Sequence, residues 1–205
     1  MLDRHIHPRV KPALNRLASR LDKPGITPDG LTLTGFAAGV LTLPFLALGW
    51  YPAALVAIVA NRLLDGLDGA LARRRGLTDA GGFLDIALDF LFYALVPFGF
   101  ALAAPAENAL AAAWLLFAFI GTGSSFLAFA ALAAKHNIDN PGYAHKSFYY
   151  IGGLTEGTET IVLFVLCCLF PAHFTLLAWV FGALCWLTTT TRIWSGYLTL
   201  RSLTP

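Results

Sequence analysis

The sequence predicts an all-α, polytopic membrane protein with six transmembrane helices preceded by a cytoplasmic interfacial amphipathic helix. The 205-residue chain is 57% hydrophobic and only 13% charged, whereas about 25% of the residues of a soluble domain are charged. Its mean hydropathy is +0.67. Apolar runs of about 20 residues, enough to cross a hydrocarbon core of about 30 Å, recur along the chain. These observations exclude an ordinary soluble domain.

The six predicted spans are separated by turns that contain proline or glycine and by two longer polar loops. The spans cover residues 31–49, 52–72, 82–104, 108–134, 148–170 and 173–200. Short turns at 49–52, 104–108 and 170–174 separate successive helices on one side of the membrane. The polar loops, 73–81 and 135–146, fall on the other side.

Residues 1–23 form the predicted amphipathic helix, and residues 24–205 form one transmembrane domain. Apolar side chains recur at helical spacing between Ile6 and Leu21, with basic residues on the other side of the helix. Such a helix is typical of a membrane surface with anionic headgroups. Thr27 or Asp29 is expected to cap the first span.

The basic residues outside the spans predict the orientation. They precede the first span, lie in the two polar loops or follow the last span. By the positive-inside rule, both termini and both polar loops are cytoplasmic. Two further arginines, Arg62 and Arg192, lie within predicted spans.

Four aspartates lie in two consecutive spans. Asp65 and Asp68 are three residues apart, and Asp85 and Asp89 are four apart, so each pair shares a helix face. Because the two helices are antiparallel, the four carboxylates are expected to form a compact square that opens on the cytoplasm. A carboxylate inside a membrane is costly and marks a functional site by default.

Ionised carboxylates this close together repel one another unless cations lie among them. Oxygen ligands suit Mg²⁺ or Mn²⁺, and a pair of such ions is a common clamp for phosphoryl chemistry. The neighbouring small residues leave room for a ligand or serve close helix packing; they are Gly66, Gly69, Ala72, Gly81 and Gly82.

The stretch 65–89 resembles the signature of the CDP-alcohol phosphatidyltransferase (class I) family. The chain supplies the signature with Asp65, Asp68, Gly69, Ala72, Arg73, Gly81, Asp85 and Asp89. It departs once, because seven residues separate Arg73 from Gly81 where the family usually has eight. The segment "TPDGLTLTG" at 27–35 also resembles the family, and the chain as a whole resembles an uncharacterised enterobacterial inner-membrane member of it.

The resemblance implies transfer of a phosphatidyl group from CDP-diacylglycerol to an alcohol, with release of CMP, in phospholipid biosynthesis. It implies two Mg²⁺ or Mn²⁺ ions held by Asp65, Asp68, Asp85 and Asp89. Among these, Asp85 and Asp89 are the implied catalytic residues, with Asp89 as general base. The implied CDP-binding residues are Asp65, Asp68, Gly69, Ala72, Arg73 and Gly81.

The acceptor alcohol is less strongly indicated. Lys135, Lys146 and Arg192 could hold the phosphate of glycerol 3-phosphate or of another phosphorylated polyol. Alternatively, the lysines are ordinary cytoplasmic charge, and Arg192 pairs with a carboxylate of this chain. Glu156 and Glu159, within the fifth predicted span, are expected to pair with Arg62 or Arg192, to hydrogen-bond a polyol or to favour a cationic acceptor.

Two other functions compete with the enzyme. An ion or proton transporter also needs acids in the membrane, but its carboxylates would be distributed across the bilayer rather than clustered near one surface. A membrane interaction protein on a retired catalytic scaffold would not need the complete aspartate set. The expected setting is a bacterial inner membrane, as a homodimer, with no nucleic-acid partner.

Overall fold

The computed structural model describes residues 3–136, 138 and 153–202, with side chains from Arg9 onward. The described residues are mostly helical and contain no strand. The helices are α1 (Asp3–Leu21), α2 (Pro28–Val40), α3 (Thr42–Ala47), α4 (Tyr51–Arg75), α5 (Asp79–Ala103), α6 (Pro105–Lys135), α7 (Gly157–Leu169) and α8 (Phe174–Arg201), and a 3-10 turn, Pro171–His173, precedes α8. The all-α prediction is confirmed.

Four described segments are long and apolar enough to cross a membrane. They are Pro28–Ala47, Asp79–Ala103, Pro105–Lys135 and Pro171–Arg201. Helix α4 has 25 residues but carries the charged residues of the predicted site. Helix α7 has 13 residues, about 20 Å of helix. The chain is therefore a helical membrane protein, and the count of six spans stays a prediction.

Two predicted spans differ from the observed helices. The first is interrupted at Leu41, because Pro44 has no N–H to bond the Val40 carbonyl; Leu41 instead bonds Ala38 in a tighter turn, at 3.2 Å. In the fifth, helix α7 begins only at Gly157, so Glu156 precedes the helix rather than lying inside it. Glu156 and Glu159 form a capping box, in which the Glu156 amide donates to the Glu159 carboxylate at 3.1 Å.

The first polar loop is shorter than predicted. Helix α4 continues through its three arginines and ends at Gly76, whose φ of 106° suits glycine. Thr78 caps α5, because its hydroxyl accepts a bond from the Gly81 amide at 3.1 Å. At the start of α2, Thr27 caps in the same way, at 3.0 Å from the Gly30 amide, as expected. The loop between α4 and α5 is therefore 76–78.

Aromatic side chains form the centre of the bundle. Phe92 and Phe100 of α5 are fully buried with Phe164 and Phe174, and the rings of Phe100 and Phe174 stack at 4.4 Å. The three cysteines, Cys167, Cys168 and Cys185, are buried and free. Helix α2 packs against both α4 and α5. This three-helix contact places the aspartates in one region.

Candidate active site

The four aspartates line one open cavity between α2, α4 and α5. Helix α4 contributes polar side chains to it, α5 contributes two carboxylates, and α2 contributes a hydroxyl and a ring. The lining residues are Thr32, Gly35, Phe36, Asn61, Arg62, Asp65, Asp68, Asp85, Leu88 and Asp89.

Three of the carboxylates are close enough to share a cation. One oxygen each of Asp65, Asp68 and Asp85 lies within 4.8 Å of the others. Asp68 is only 4% exposed, and its Oδ2 is a buried oxygen without a hydrogen-bond partner among the described residues. A buried carboxylate oxygen normally has a partner. This donor set, composed only of oxygen, fits a divalent metal ion such as Mg²⁺ or Mn²⁺.

The fourth carboxylate, Asp89, is held by an arginine. An Arg62 guanidinium nitrogen lies 2.7 Å from Asp89 Oδ1, and another lies 3.5 Å from Asp65 Oδ2. Asp89 is therefore in the same cavity but is paired differently from the group of three. Of the two predicted ligands that contact Arg62, Asp89 makes the shorter ion pair.

Helix geometry explains why these residues meet. Arg62, Asp65 and Asp68 follow one another at intervals of three on α4, so they share a face. The short loop reverses the chain and brings Asp85 of α5 opposite that face. Sequence reasoning placed Arg62 in a span but missed its role in the cavity. Its spacing of three from Asp65 was the signal that could have found it.

The predicted nucleotide-binding residues lie near the loop end of α4 and α5. A side chain at Gly69 would lie 3.3 Å from the guanidinium of Arg73. One at Gly81 would lie 3.1 Å from the carboxylate of Asp29. Gly66 differs, because its missing side chain makes room for Leu14 of α1. Gly66 therefore serves helix packing, whereas Gly69 and Gly81 keep polar groups close to the helix backbone. Ala72 is half-buried on α4.

The predicted acceptor residues are not brought to the cavity. Arg192 of α8 is 7% exposed, donates to the Thr122 carbonyl of α6 at 3.3 Å and lies over the ring of Phe126. It does not line the cavity of the four aspartates. Lys135 is exposed at the end of α6. Lys146 lies outside the described residues.

A family model and two relatives match this chain. Residues 25–194 match the family model of CDP-alcohol phosphatidyltransferase. The chain is 82% identical over 203 residues to the inner membrane protein YnjF of Escherichia coli, covering 99% of this chain and 98% of that protein. It is 41% identical over 98 residues to the archaetidylinositol phosphate synthase of Pyrococcus horikoshii, covering 47% of this chain and 52% of that one.

Two solved structures share the fold. Both are of the Mycobacterium tuberculosis phosphatidylinositol phosphate synthase PgsA1, at 22% identity. The structure with CDP-DAG bound has a TM-score of 0.67 and covers 90% of this chain and 93% of its own. The structure with manganese and citrate has a TM-score of 0.72 and covers 90% and 88%. With its aspartate cavity and the family match over residues 25–194, the chain belongs to the CDP-alcohol phosphatidyltransferase family.

Proposed function

We propose that this protein transfers a phosphatidyl group from CDP-diacylglycerol to a phosphorylated polyol such as glycerol 3-phosphate, and releases CMP. The observation that carries the proposal is the group of three carboxylates with the buried, unpartnered Asp68 oxygen. The family match and a structural neighbour with CDP-DAG bound support the donor substrate. The function belongs to phospholipid biosynthesis.

Each aspartate has a role in the proposed reaction. Asp65, Asp68, Asp85 and Asp89 would hold two Mg²⁺ or Mn²⁺ ions, which neutralise charge on the diphosphate and on the departing CMP. Asp89 is the general base for the acceptor hydroxyl. Asp85 would contribute to both metal binding and proton transfer. It lies opposite α4 as a metal ligand and is close to the base, Asp89.

The residues near the loop hold the nucleotide in this proposal. Gly69, Ala72 and Gly81 let the cytidine nucleotide approach the helix backbone, and the exposed Arg73 offers its guanidinium to the phosphates. Arg73 lies directly over Gly69 in the structure, so its side chain is already on the side of the helix where the nucleotide would lie.

The acceptor phosphate would be bound by Lys135, Lys146 and Arg192. The guanidinium of Arg192 supports this part of the proposal, because its planar set of donors suits the geometry of a phosphate. Because Arg192 does not line the aspartate cavity, the acceptor would have to extend from α8 to the carboxylates. A phosphorylated polyol carries its phosphate and its reactive hydroxyl on different atoms. Its phosphate would therefore bind Arg192 while its hydroxyl reaches the carboxylates.

The proposed setting is a bacterial inner membrane, with six spans, α1 on the cytoplasmic surface, and both termini and the active site facing the cytoplasm. The location is supported by the inner membrane protein of Escherichia coli at 82% identity. The orientation is supported by the arginines that end α4 beside the aspartate cavity. The assembly is proposed to be a homodimer.

The test is an acceptor screen with purified protein in lipid nanodiscs and CDP-diacylglycerol. Glycerol 3-phosphate, inositol phosphate, glycerol, inositol and serine are offered separately, and CMP and the lipid product are measured. We expect CMP release only with an acceptor and with Mg²⁺ or Mn²⁺, and fastest turnover with a phosphorylated polyol.

A chelator and an Asp85→Asn variant provide the controls. The chelator removes the metal ion, and the substitution removes one of its proposed ligands. Both should therefore abolish CMP release. Turnover that persists in excess chelator would reject the metal-dependent reaction. Faster turnover with serine or with an unphosphorylated polyol would reject the proposed acceptor class but keep the transferase.

A further inference from the structure

Arg62 is a largely buried cation that the family signature does not include. Its side chain is 17% exposed, and its guanidinium lies in the cavity with all four aspartates. Its nitrogens approach Asp89 at 2.7 Å and Asp65 at 3.5 Å. Arg62 is thus in direct contact with two of the four proposed metal ligands.

Several contacts fix Arg62 in this position. Its Nε donates to Asn61 Oδ1 at 2.7 Å, and Asn61 Nδ2 donates in turn to the Gly35 carbonyl of α2 at 2.9 Å. The guanidinium also lies 4.8 Å from the ring centre of Phe92, within the range of a cation–π contact. The arginine is held by α2, α4 and α5 together, so its place in the cavity is built by the fold.

This position conflicts with simultaneous binding of two divalent ions. Asp65, Asp68 and Asp85 form a group that can accept one ion. A second ion at Asp89 would lie beside a guanidinium that already neutralises that carboxylate, and like charges at such range repel. The second ion can bind only if Arg62 moves away from Asp89.

We infer that Arg62 occupies the place of the second cation until substrate binds, so that the free protein takes up one divalent ion and the second enters with the diphosphate. This inference rests on the proposed function. The diphosphate gives the guanidinium a new anionic partner, for which arginine is well suited because it binds phosphate with two parallel hydrogen bonds. Arg62 is therefore a positioning residue that links metal occupancy to the donor substrate.

The test counts bound Mn²⁺ by electron paramagnetic resonance, with the full chain in phosphatidylcholine nanodiscs. Without CDP-diacylglycerol, we expect about one Mn²⁺ per chain, and with it about two. In Arg62→Gln the count should be about two in both conditions, because the competing cation is gone. Nanodiscs that contain CDP-diacylglycerol but no protein correct for ions held by the lipid.

Arg74→Gln is the matched control, because it removes the same charge from the same helix at an exposed position whose described ion pair is with Asp22. Its counts should equal those of the unchanged protein. Two ions in the unchanged protein without substrate, or one ion in Arg62→Gln, would overturn the inference. If Arg62→Gln does not fold, the unchanged protein still decides: a count that stays at one when CDP-diacylglycerol is added rejects it.

The two proposals fail in different ways. CMP release together with two ions in the substrate-free protein would leave the transferase standing and remove only the role of Arg62. No Mn²⁺ binding in any sample would reject both, since the metal site itself would be absent.

Discussion

Helix α4 carries two groups of arginine–aspartate pairs, one in the cavity and one at its exposed end. In the inner group, Arg62 holds Asp89 and Asp65. In the outer group, Arg74 and Arg75 hold Asp22, at 3.4 and 2.7 Å. The same two residue types make contacts of similar length on one helix, yet their surroundings differ.

The outer group connects chain segments. Arg75 also donates to the carbonyls of Lys23 and Ile26, so it fastens the segment between α1 and α2 to the end of α4. Exposed ion pairs contribute little stability because water and salt screen them. The outer group therefore connects the segment between α1 and α2 to the end of α4, and its residues do not line the aspartate cavity.

The ion pairs of the inner group are less exposed, so water and salt screen them less. Removing one partner of a buried ion pair costs about 3–5 kcal/mol, an upper bound here because Arg62 and Asp89 are 17% and 29% exposed. The inner group has two carboxylates and one arginine, so one negative charge is left uncompensated. A further cation would neutralise that charge. The comparison teaches that position in the membrane bundle, more than the residue types, makes one group a functional site and the other an attachment.

The largest expected difference is between an Asp→Asn substitution in the aspartate cavity and the same substitution in the outer group. Asp68→Asn should reduce CMP release at least ~100-fold, since loss of even an outer-sphere partner of a metal commonly costs 10- to 100-fold. Asp22→Asn should leave the rate nearly unchanged. Initial rates with saturating CDP-diacylglycerol measure both, and similar losses in the two variants would contradict the distinction.

A smaller effect is expected from a change that disturbs the inner group without altering a charge. A Cβ at Gly39 would lie 2.8 Å from Phe92 and 2.9 Å from Asn61 Nδ2, so Gly39→Ala should displace the side chain that holds Arg62. We expect about a tenfold loss of turnover, because small misplacements in an active site can cost up to about 100-fold.

Val40→Ala is the control for Gly39→Ala, because Val40 is the next residue of α2 and its side chain is exposed. It should keep its full rate. Full activity in Gly39→Ala, in protein that is folded by circular dichroism, would show that the support of Arg62 by Asn61 has no catalytic consequence.

The smallest expected effect is a pH dependence of the outer group. The hydrogen bond from Arg75 lowers the pKa of Asp22 below its ordinary 3.8, with partial desolvation opposing it and Arg74 adding to it. Because the folded-state pKa is depressed, the stabilisation is fully present above pH 3.8 and is lost as the pH falls through the folded-state value.

Hydrogen exchange of the Ile26 amide, corrected for intrinsic exchange, measures how much stabilisation by the ion pairs of Asp22 is lost at low pH. Protection should fall at the acidic end of the range in the unchanged protein. In Asp22→Asn it should be low and independent of pH, because no carboxylate remains to titrate. Equal pH profiles in the two proteins would contradict the assignment of the effect to Asp22.

The sequence was sufficient for the local features of the site. The spacing of Asp65 from Asp68 and of Asp85 from Asp89 predicted which side chains share a helix face, and the observed helices have that register. Thr27 was recognisable as a possible cap because capping also depends on residues within one helical turn. Such features depend on residues within one or two turns, and their geometry is fixed by the helix repeat.

Other features could not be predicted because they depend on packing between distant segments. The interruption at Leu41 and the start of α7 at Gly157 are different, because Pro44 and the capping box of Glu156 and Glu159 are local signals that the assignment of spans overlooked. The pairing of Arg62 with Asp89 joins residues 27 positions apart. The separation of Arg192 from the aspartate cavity depends on how α8 packs against α6.

The sequence by itself determined a helical membrane protein of this family with four aspartates on two adjacent helix faces, because hydropathy and helical periodicity are local properties of the chain. Only the tertiary structure decided that three of those carboxylates form a group and that the fourth is paired with an arginine. The physical reason is that ion pairs form between whichever charges the packed helices bring within a few ångströms, and sequence spacing constrains that distance only within one helix.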